Sequence, residues 1–157
     1  MEVAELLARE EIKQLRLAYA AFYDRQLLDK LVDLFTEDAV CDFGHYGSWN
    51  GRAEIRSNYE RELARNGPFH ALHIVTNPFI EFTGDGMAHG TWYLMDLLPR
   101  QKPANELSTP GGHDNPLLYI AIYEDQYRKT AGAWKIQRTQ LHFLWPEWGD
   151  SKLPIGQ

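Results

Sequence analysis

The stretch ALHIVTNPFIEFTGDGMAHGTWYLMDLL, residues 71–98, determines the fold class of this chain. It contains two runs, 71–82 and 87–98, that are rich in β-branched and aromatic residues, the types that strands favour. A Gly-Asp-Gly sequence at 84–86 separates the two runs and is typical of a tight turn. We therefore predict a long antiparallel hairpin near the centre of the chain.

The segments on either side of this hairpin complete the fold prediction. Apolar residues recur at helical spacing in the N-terminal half, which predicts helices over 5–24, 28–35 and 52–65. Asn50 is placed to cap the third helix. Further strands are predicted over 39–43, 117–128 and 134–144, and a tight turn at Ala131-Gly132 joins the last two in a second hairpin. Helices followed by long antiparallel strands predict an α+β fold, in a single domain over residues 1–157.

Composition excludes several classes of protein. The hydrophobic fraction of 44% and the charged fraction of 24% are ordinary for a globular protein. A net charge of −6 without a basic run argues against nucleic-acid binding. No apolar run reaches the ~18 residues of a membrane span, and the acidic N-terminus lacks the basic start of a signal peptide. Cys41, the single cysteine, is expected to be a packed side chain in a cytoplasmic protein.

Two segments do not fit the regular pattern. Residues 100–116 combine Pro, Gly, Ser and Asn with little apolar content, which predicts a long loop that serves as a lid or an interface. The Trp-Pro-Glu-Trp sequence at 145–148 is unusually apolar for a C-terminal region. We expect it to close a pocket or to pack against another subunit.

Three polar residues form a minimal acid–base set. His73 is a candidate general base, provided that an acceptor holds its other ring nitrogen and so fixes the tautomer. Asp24 is the candidate acceptor. Tyr19 can donate a hydrogen bond to a carbonyl or to a departing oxygen. If these side chains meet in an apolar cavity, they predict a small lyase or isomerase that needs neither a metal nor a cofactor.

Two further observations bear on the chemistry of this set. Asp96 alternates with Trp92 and Leu94 along one strand face, and apolar surroundings favour a protonated carboxyl, so Asp96 is a candidate general acid. His70 and His73 have a spacing that can indicate a metal site. On a strand, however, their rings would point to opposite faces, so we predict no metal there.

The order of motifs along residues 8–145 resembles the SnoaL-like branch of the nuclear transport factor 2-like superfamily. The motifs are Ile12, Tyr19 and Asp24, then LFTEDAV at 34–40, Gly51 before a helix, HIVTN at 73–77, GDG at 84–86 and GAWKI at 132–136. No single motif is specific, but their order and spacing together are. The resemblance implies a cone-shaped, curved antiparallel sheet with N-terminal helices that enclose an apolar pocket.

The resemblance also implies an activity. Within that branch the chain is most similar to scytalone dehydratase, bile-acid dehydratase and hexachlorocyclohexane dehydrochlorinase, which are lyases without a cofactor. It places Asp24 and His73 at the Asp–His dyad, with Tyr19 and Asp96 at the positions that bile-acid dehydratase uses. Two of these enzymes complete the site with an Arg on the last strand. Here that position is Thr139, and its neighbour is Arg138.

We therefore expect a cofactor-independent lyase that dehydrates, or cleaves a carbon–carbon bond with deformylation, a hydrophobic aromatic or polycyclic small molecule. The expected substrate contacts are Trp49, Trp92, Tyr123, Thr139 and Phe143. A ketosteroid-type isomerase and a non-catalytic ligand-binding module are the alternatives. An isomerase would give a product of unchanged mass, and a binding module would return its ligand intact.

The outer face of the sheet predicts self-association. Alternating apolar residues such as Ile74, Ile80, Ile120 and Ile122 would leave an exposed patch on a monomer. The enzymes that the chain resembles are trimers. We expect a homotrimer, or otherwise a homodimer, with no nucleic-acid or membrane partner.

Overall fold

A computed structural model describes residues 2–99 and 117–146 of the chain. The helices are α1 (Val3–Asp24), α2 (Leu28–Asp33) and α3 (Arg52–Ala64), which confirms the three predicted helices. The predicted cap is wrong. Gly51 holds the N-cap position of α3, while the backbone N–H of Asn50 donates to Glu54 Oε2 at 2.8 Å. The loop at 100–116 and the second half of the apolar tail, residues 147 and 148, lie outside the described residues.

Six strands form a single curved, unclosed sheet in the order β2-β1-β6-β5-β4-β3. They are β1 (Phe35–Asp42), β2 (Ser48–Asn50), β3 (Leu72–Gly84), β4 (Met87–Leu97), β5 (Leu117–Thr130) and β6 (Ala133–Trp145). The two predicted hairpins, β3–β4 and β5–β6, are confirmed. The sheet is mixed, because β1 runs parallel to β6. The predicted antiparallel sheet therefore has one exception, the β1–β6 pair. A short turn forces two strands to run in opposite directions, but β1 and β6 are far apart in the chain and no such turn joins them.

A bulge in β3 sets which residues of that strand face inward. Between the paired positions Thr76 and Phe79, three steps along β3 oppose two steps along β4. Asn77 occupies the bulge with a φ of 54°, a left-handed conformation that Asn tolerates better than most residues. The extra residue reverses the alternation, so Ile80 is buried in the core whereas Ile74 stays on the outer face. The expectation that Ile80 lies outside is wrong for this reason.

The helices pack on the concave inner face of the sheet, where most of the core lies. The core combines aliphatic and aromatic side chains from every layer, among them Ile12, Leu31, Phe35, Ile55, Leu94 and Ile136, all fully buried. Cys41 is buried in β1, where burial raises the pKa of its thiol, as suits a packed side chain. No helix of the described residues is long and apolar enough to cross a lipid bilayer.

A polar network is buried inside this apolar core. Arg16 of α1 and Asp125 of β5 are both fully buried, with Nε and Oδ2 3.2 Å apart. The guanidinium also donates from Nη2 to Thr139 Oγ1 at 3.1 Å. Tyr127 donates its hydroxyl to Asp125 Oδ2 at 2.6 Å, and Trp92 Nε1 donates to the Tyr127 hydroxyl at 2.9 Å. The network joins α1 to three neighbouring strands.

Removing one partner of this network should be costly. Replacing Asp125 with alanine leaves the Arg16 charge buried without a counter-ion, so we expect the free energy of unfolding to fall by about 3–5 kcal/mol. Urea denaturation measures it. Asp38→Ala is the control, because Asp38 pairs with Arg128 on the surface at 2.6 Å and should change stability little. Equal losses in the two variants would contradict the structural role of the network.

The outer face of the sheet carries exposed apolar side chains, as expected of a surface through which chains associate. Tyr93 is 53% exposed, Ile74 39% and Met95 38%, and they occupy neighbouring positions on β3 and β4. One chain has a mass of 18.2 kDa. We expect light scattering to give about three times this mass, which the charged variant Tyr93→Lys should reduce. Twice this mass would leave the homodimer, and the mass of a single chain would contradict self-association.

Candidate functional site

A cavity of about 240 Å³ lies between the inner face of the sheet and helices α1 and α3. Its most distinctive feature is a set of six tyrosines: Tyr19, Tyr23, Tyr46, Tyr59, Tyr119 and Tyr123. Tyrosine combines a large apolar ring with a hydroxyl, so this wall suits a ring-shaped ligand that also carries oxygen atoms. The volume is slightly below the ~300–1,000 Å³ of common ligand pockets, which favours a molecule of one or two rings.

Asp24 and His73 join the end of α1 to the start of β3. The ring nitrogen His73 Nδ1 lies 2.6 Å from Asp24 Oδ1, and the backbone N–H of His73 donates to Oδ2 at 3.1 Å. The backbone N–H of Phe69 donates to the Asp24 carbonyl at 2.6 Å. With Asp24 ionised, Nδ1 carries the ring proton, so Nε2 is left as the free basic nitrogen. The sequence-predicted pair is thus in direct contact beside the cavity.

The strand register brings a second carboxyl to the other side of the imidazole. His73, Asp96 and Tyr119 are directly opposite one another on β3, β4 and β5, which places their side chains on one face. His73 Nε2 lies 3.6 Å from Asp96 Oδ2. Asp96 Oδ1 is buried and has no hydrogen-bond partner among the described residues. A candidate base and a candidate acid therefore lie side by side in the cavity wall.

Burial and charge shift the pKa values of this pair. Burial on its own would lower the pKa of His73, but the charge of Asp96 and the hydrogen bond with Asp24 outweigh it and raise the pKa above 6.5. Burial raises the pKa of Asp96 above 3.8, although His73 and Tyr119 partly offset it. Both shifts favour the protonated form of the group concerned, so the pair can hold one proton between them.

Tyrosines surround the His73–Asp96 pair. The ring of Tyr23 meets the His73 imidazole edge-on, with centroids 4.6 Å apart. Tyr19 lines the cavity, and its hydroxyl lies 2.7 Å from that of Tyr59. Tyr123 also hydrogen-bonds to Tyr19. Three linked hydroxyls have three protons for two hydrogen bonds, so one proton remains that can be donated to a ligand. Burial raises the pKa of the Tyr19 and Tyr59 hydroxyls, so they remain protonated donors.

The structure separates the predicted substrate contacts into two groups. Trp49 and Tyr123 line the cavity. Trp92 and Thr139 do not, because both side chains belong to the buried Arg16 network. Phe143 packs behind the wall, with its ring centroid 5.1 Å from that of Tyr119. Thr139 therefore faces inward. Its neighbour Arg138 projects to the outer side of the sheet, where Nη2 lies 3.9 Å from Asp42 Oδ2.

His70 and His73 do not point to opposite faces of one strand, as the sequence predicts. β3 begins at Leu72, so His70 lies outside the strand, and both histidines line the cavity. Over residues 2–99 and 117–146, no three His, Cys, Asp or Glu side chains are grouped as ligands of a metal ion.

Several residues of the site escaped the sequence analysis. Tyr23 could have been found, because it precedes Asp24 and lies one helical turn after Tyr19, on the same face of α1. Tyr119 could not, since its position beside Asp96 follows from a strand register that no local pattern reveals.

Comparison with known proteins assigns the family. A model of the SnoaL-like domain matches residues 4–140, so the chain belongs to the SnoaL-like domain family of the nuclear transport factor 2-like superfamily. The uncharacterized protein Rv2910c of Mycobacterium tuberculosis is 27% identical over 138 residues, which is 88% of this chain and 86% of that protein.

Solved structures show the same fold. A candidate scytalone dehydratase from Novosphingobium aromaticivorans superposes with a TM-score of 0.75 and 19% identity, covering 100% of this chain and 99% of that one. LinA superposes with a TM-score of 0.71 and 18% identity, covering 94% and 97%. At these identities the superpositions establish the architecture alone.

The His73 titration tests the geometry without any substrate. We expect an NMR midpoint above 6.5, and Asp96→Asn should lower it because a negative charge beside the imidazole is lost. Glu62→Gln is the control, since Glu62 lines the same cavity but is not paired with His73 in the sheet as Asp96 is. Because the folded pKa is raised, the stability contributed by His73 is complete below pH 6.5 and is lost as pH rises through the folded pKa. A midpoint unchanged in Asp96→Asn would contradict the coupling.

Proposed function

We propose that this member of the SnoaL-like domain family is a cofactor-independent lyase that eliminates water from a small, hydrophobic ring compound. The supporting observation is the 3.6 Å separation of His73 Nε2 and Asp96 Oδ2 in the wall of a tyrosine-lined cavity. Elimination needs a base for a carbon-bound proton and an acid for the leaving oxygen. Here both groups face one small space. The cavity volume favours an aromatic or partly reduced one- or two-ring substrate over a larger polycyclic one.

His73 is the base in this proposal. Its Nε2 takes the proton from the carbon next to a substrate carbonyl, while Nδ1–H donates to Asp24. The Asp24 carboxylate stabilises the imidazolium that forms and keeps the ring in the productive tautomer. The electron pair of the broken C–H bond moves to the carbonyl oxygen, giving an enolate. The Tyr19–Tyr59 hydroxyl pair can donate a hydrogen bond to that oxygen.

Asp96 is the acid that completes the elimination. As the enolate collapses, the C–O bond at the neighbouring carbon breaks, and the leaving hydroxyl takes the proton of the Asp96 carboxyl to depart as water. The site then holds an imidazolium and a carboxylate 3.6 Å apart. Transfer of the proton from His73 to Asp96 restores the starting state. One proton is taken up and one is released, so the cycle is balanced.

The same geometry predicts the stereochemistry. Since the base and the acid lie side by side on one wall, both should reach the same face of a bound ring, which corresponds to a syn elimination. A substrate deuterated on one face of the carbon that loses its proton tests this. Loss of the label should occur only when the deuterium and the leaving hydroxyl are on the same face. Loss from the opposite face would contradict the shared wall.

A panel of one- and two-ring β-hydroxy ketones, analysed by mass spectrometry, tests the proposed function. A product that lacks the mass of one water supports the lyase, provided that His73→Ala abolishes it. A product of unchanged mass would instead favour the ketosteroid-type isomerase. Recovery of every tightly bound compound intact would favour a ligand-binding module.

The dyad makes a quantitative prediction for activity. Asp24→Asn should lower kcat by as much as ~10⁴, because the amide favours the wrong imidazole tautomer and removes the charge that stabilises the imidazolium. Asp29→Asn is the matched control, since Asp29 is an exposed residue paired with Arg56 on the surface. Thermal unfolding establishes that both variants are folded. Activity of Asp24→Asn close to that of the control would refute the role of the dyad.

A further inference from the structure

Arg16 is a fully buried charge that the proposed reaction does not use. It does not line the cavity, but it lies directly behind it. Its guanidinium carbon is 3.5 Å from the ring centroid of Tyr123 and 4.4 Å from that of Tyr19. Both tyrosines line the cavity. The Arg16 guanidinium therefore packs against two tyrosine rings that also line the cavity.

Stability alone does not explain this arrangement. Nη2 of the guanidinium donates to Asp125 and to Thr139, and Nε lies 3.2 Å from Asp125 Oδ2, but neither Nε nor Nη1 makes a hydrogen bond among the described residues. Replacing a buried ion pair with apolar side chains is often neutral or even stabilising. An incompletely paired guanidinium is thus a poor way to stabilise a core. Its position behind the cavity suggests an effect on ligands.

That effect passes through the tyrosines. Burial raises the pKa of Tyr123 and of Tyr19, and the nearby Arg16 charge opposes the rise in both. A more acidic hydroxyl donates a stronger hydrogen bond to an anionic acceptor. Asp125 neutralises the pair overall and raises the pKa of Tyr123, but the effect of Arg16 on that pKa is larger. The guanidinium carbon lies 3.5 Å from the Tyr123 ring centroid, so the cation outweighs its counter-ion at this side chain.

We propose that Arg16 is a positioning residue that acts through Tyr19 and Tyr123 to make the cavity bind the oxygen anion of an enolate or a phenolate. The inference deepens the proposed function, because an enolate is the intermediate of the proposed elimination. It also names a ligand class that can be tested without turnover: phenols whose ionised oxygen is held by the tyrosine hydroxyls.

4-Nitrophenol is a suitable probe, because its visible absorbance reports its ionised fraction. With protein in excess, a pH titration gives the pKa of the bound probe. Arg16→Gln/Asp125→Asn removes both charges but keeps hydrogen-bonding groups, and Arg16→Met/Asp125→Asn is a second variant should the first fail to fold. We expect the bound pKa to be about one unit higher in the variant than in the wild type. Arg16→Lys keeps the positive charge, so its bound pKa should lie closer to that of the wild type than the bound pKa of the double variant does.

Arg9→Met is the matched control. Arg9 also lies over an aromatic ring, 5.0 Å from the centroid of Phe82, but this pair does not line the cavity. The control should bind 4-nitrophenol with the wild-type pKa. An unshifted pKa in a folded double variant would overturn the inference, and so would failure of the wild-type protein to bind the probe.

The outcomes separate this inference from the proposed function. If Asp24→Asn loses turnover while the double variant leaves the bound pKa unchanged, the lyase stands and the role of Arg16 falls. If the bound pKa shifts but Asp24→Asn retains full turnover, the Arg16 effect stands and the proposed dyad falls.

Discussion

The contact between Asp24 and His73 is the constraint on which the site depends. Both carboxylate oxygens of Asp24 are engaged at the start of β3, by the ring and by the backbone N–H of His73. One residue, the last of α1, therefore fixes the end of a helix against a strand and also fixes a tautomer. The strand register then places Asp96 beside the free ring nitrogen. The hydrogen bonds that hold the end of α1 against β3 are therefore the ones that also orient the His73 ring.

The inner face of the sheet has two layers of polar groups in different surroundings. In the first, tyrosine hydroxyls and the His73–Asp96 pair meet the cavity. In the second, Arg16 and Asp125 form an ion pair behind the tyrosine rings, sealed from solvent. Charges in such surroundings act over longer distances than in water. A buried charge behind the wall can therefore influence an anion that it does not touch.

The sequence predicted the elements of the fold better than their pairing. Helical spacing and strand-forming runs are local signals, so the three helices and both long hairpins could be found. The bulge at Asn77 and the parallel β1–β6 pair depend on distant partners and could not. In the site, the spacing of family motifs predicts Asp24 and His73 as a pair, and the structure brings the two side chains into contact. Thr139 is predicted as a substrate contact but binds Arg16 instead. Arg16 comes from another element, and no spacing within one strand predicts that contact.

The central claim is that His73 acts as the base and Asp96 as the acid, and deuterium incorporation tests it most directly. A substrate recovered from D₂O is analysed by NMR after incubation with Asp96→Asn or His73→Gln. If His73 is the base and Asp96 the acid, Asp96→Asn should introduce deuterium at the carbon next to the carbonyl while releasing little water. His73→Gln should do neither. Elimination at the wild-type rate by Asp96→Asn, or deuterium incorporation by His73→Gln, would contradict the account.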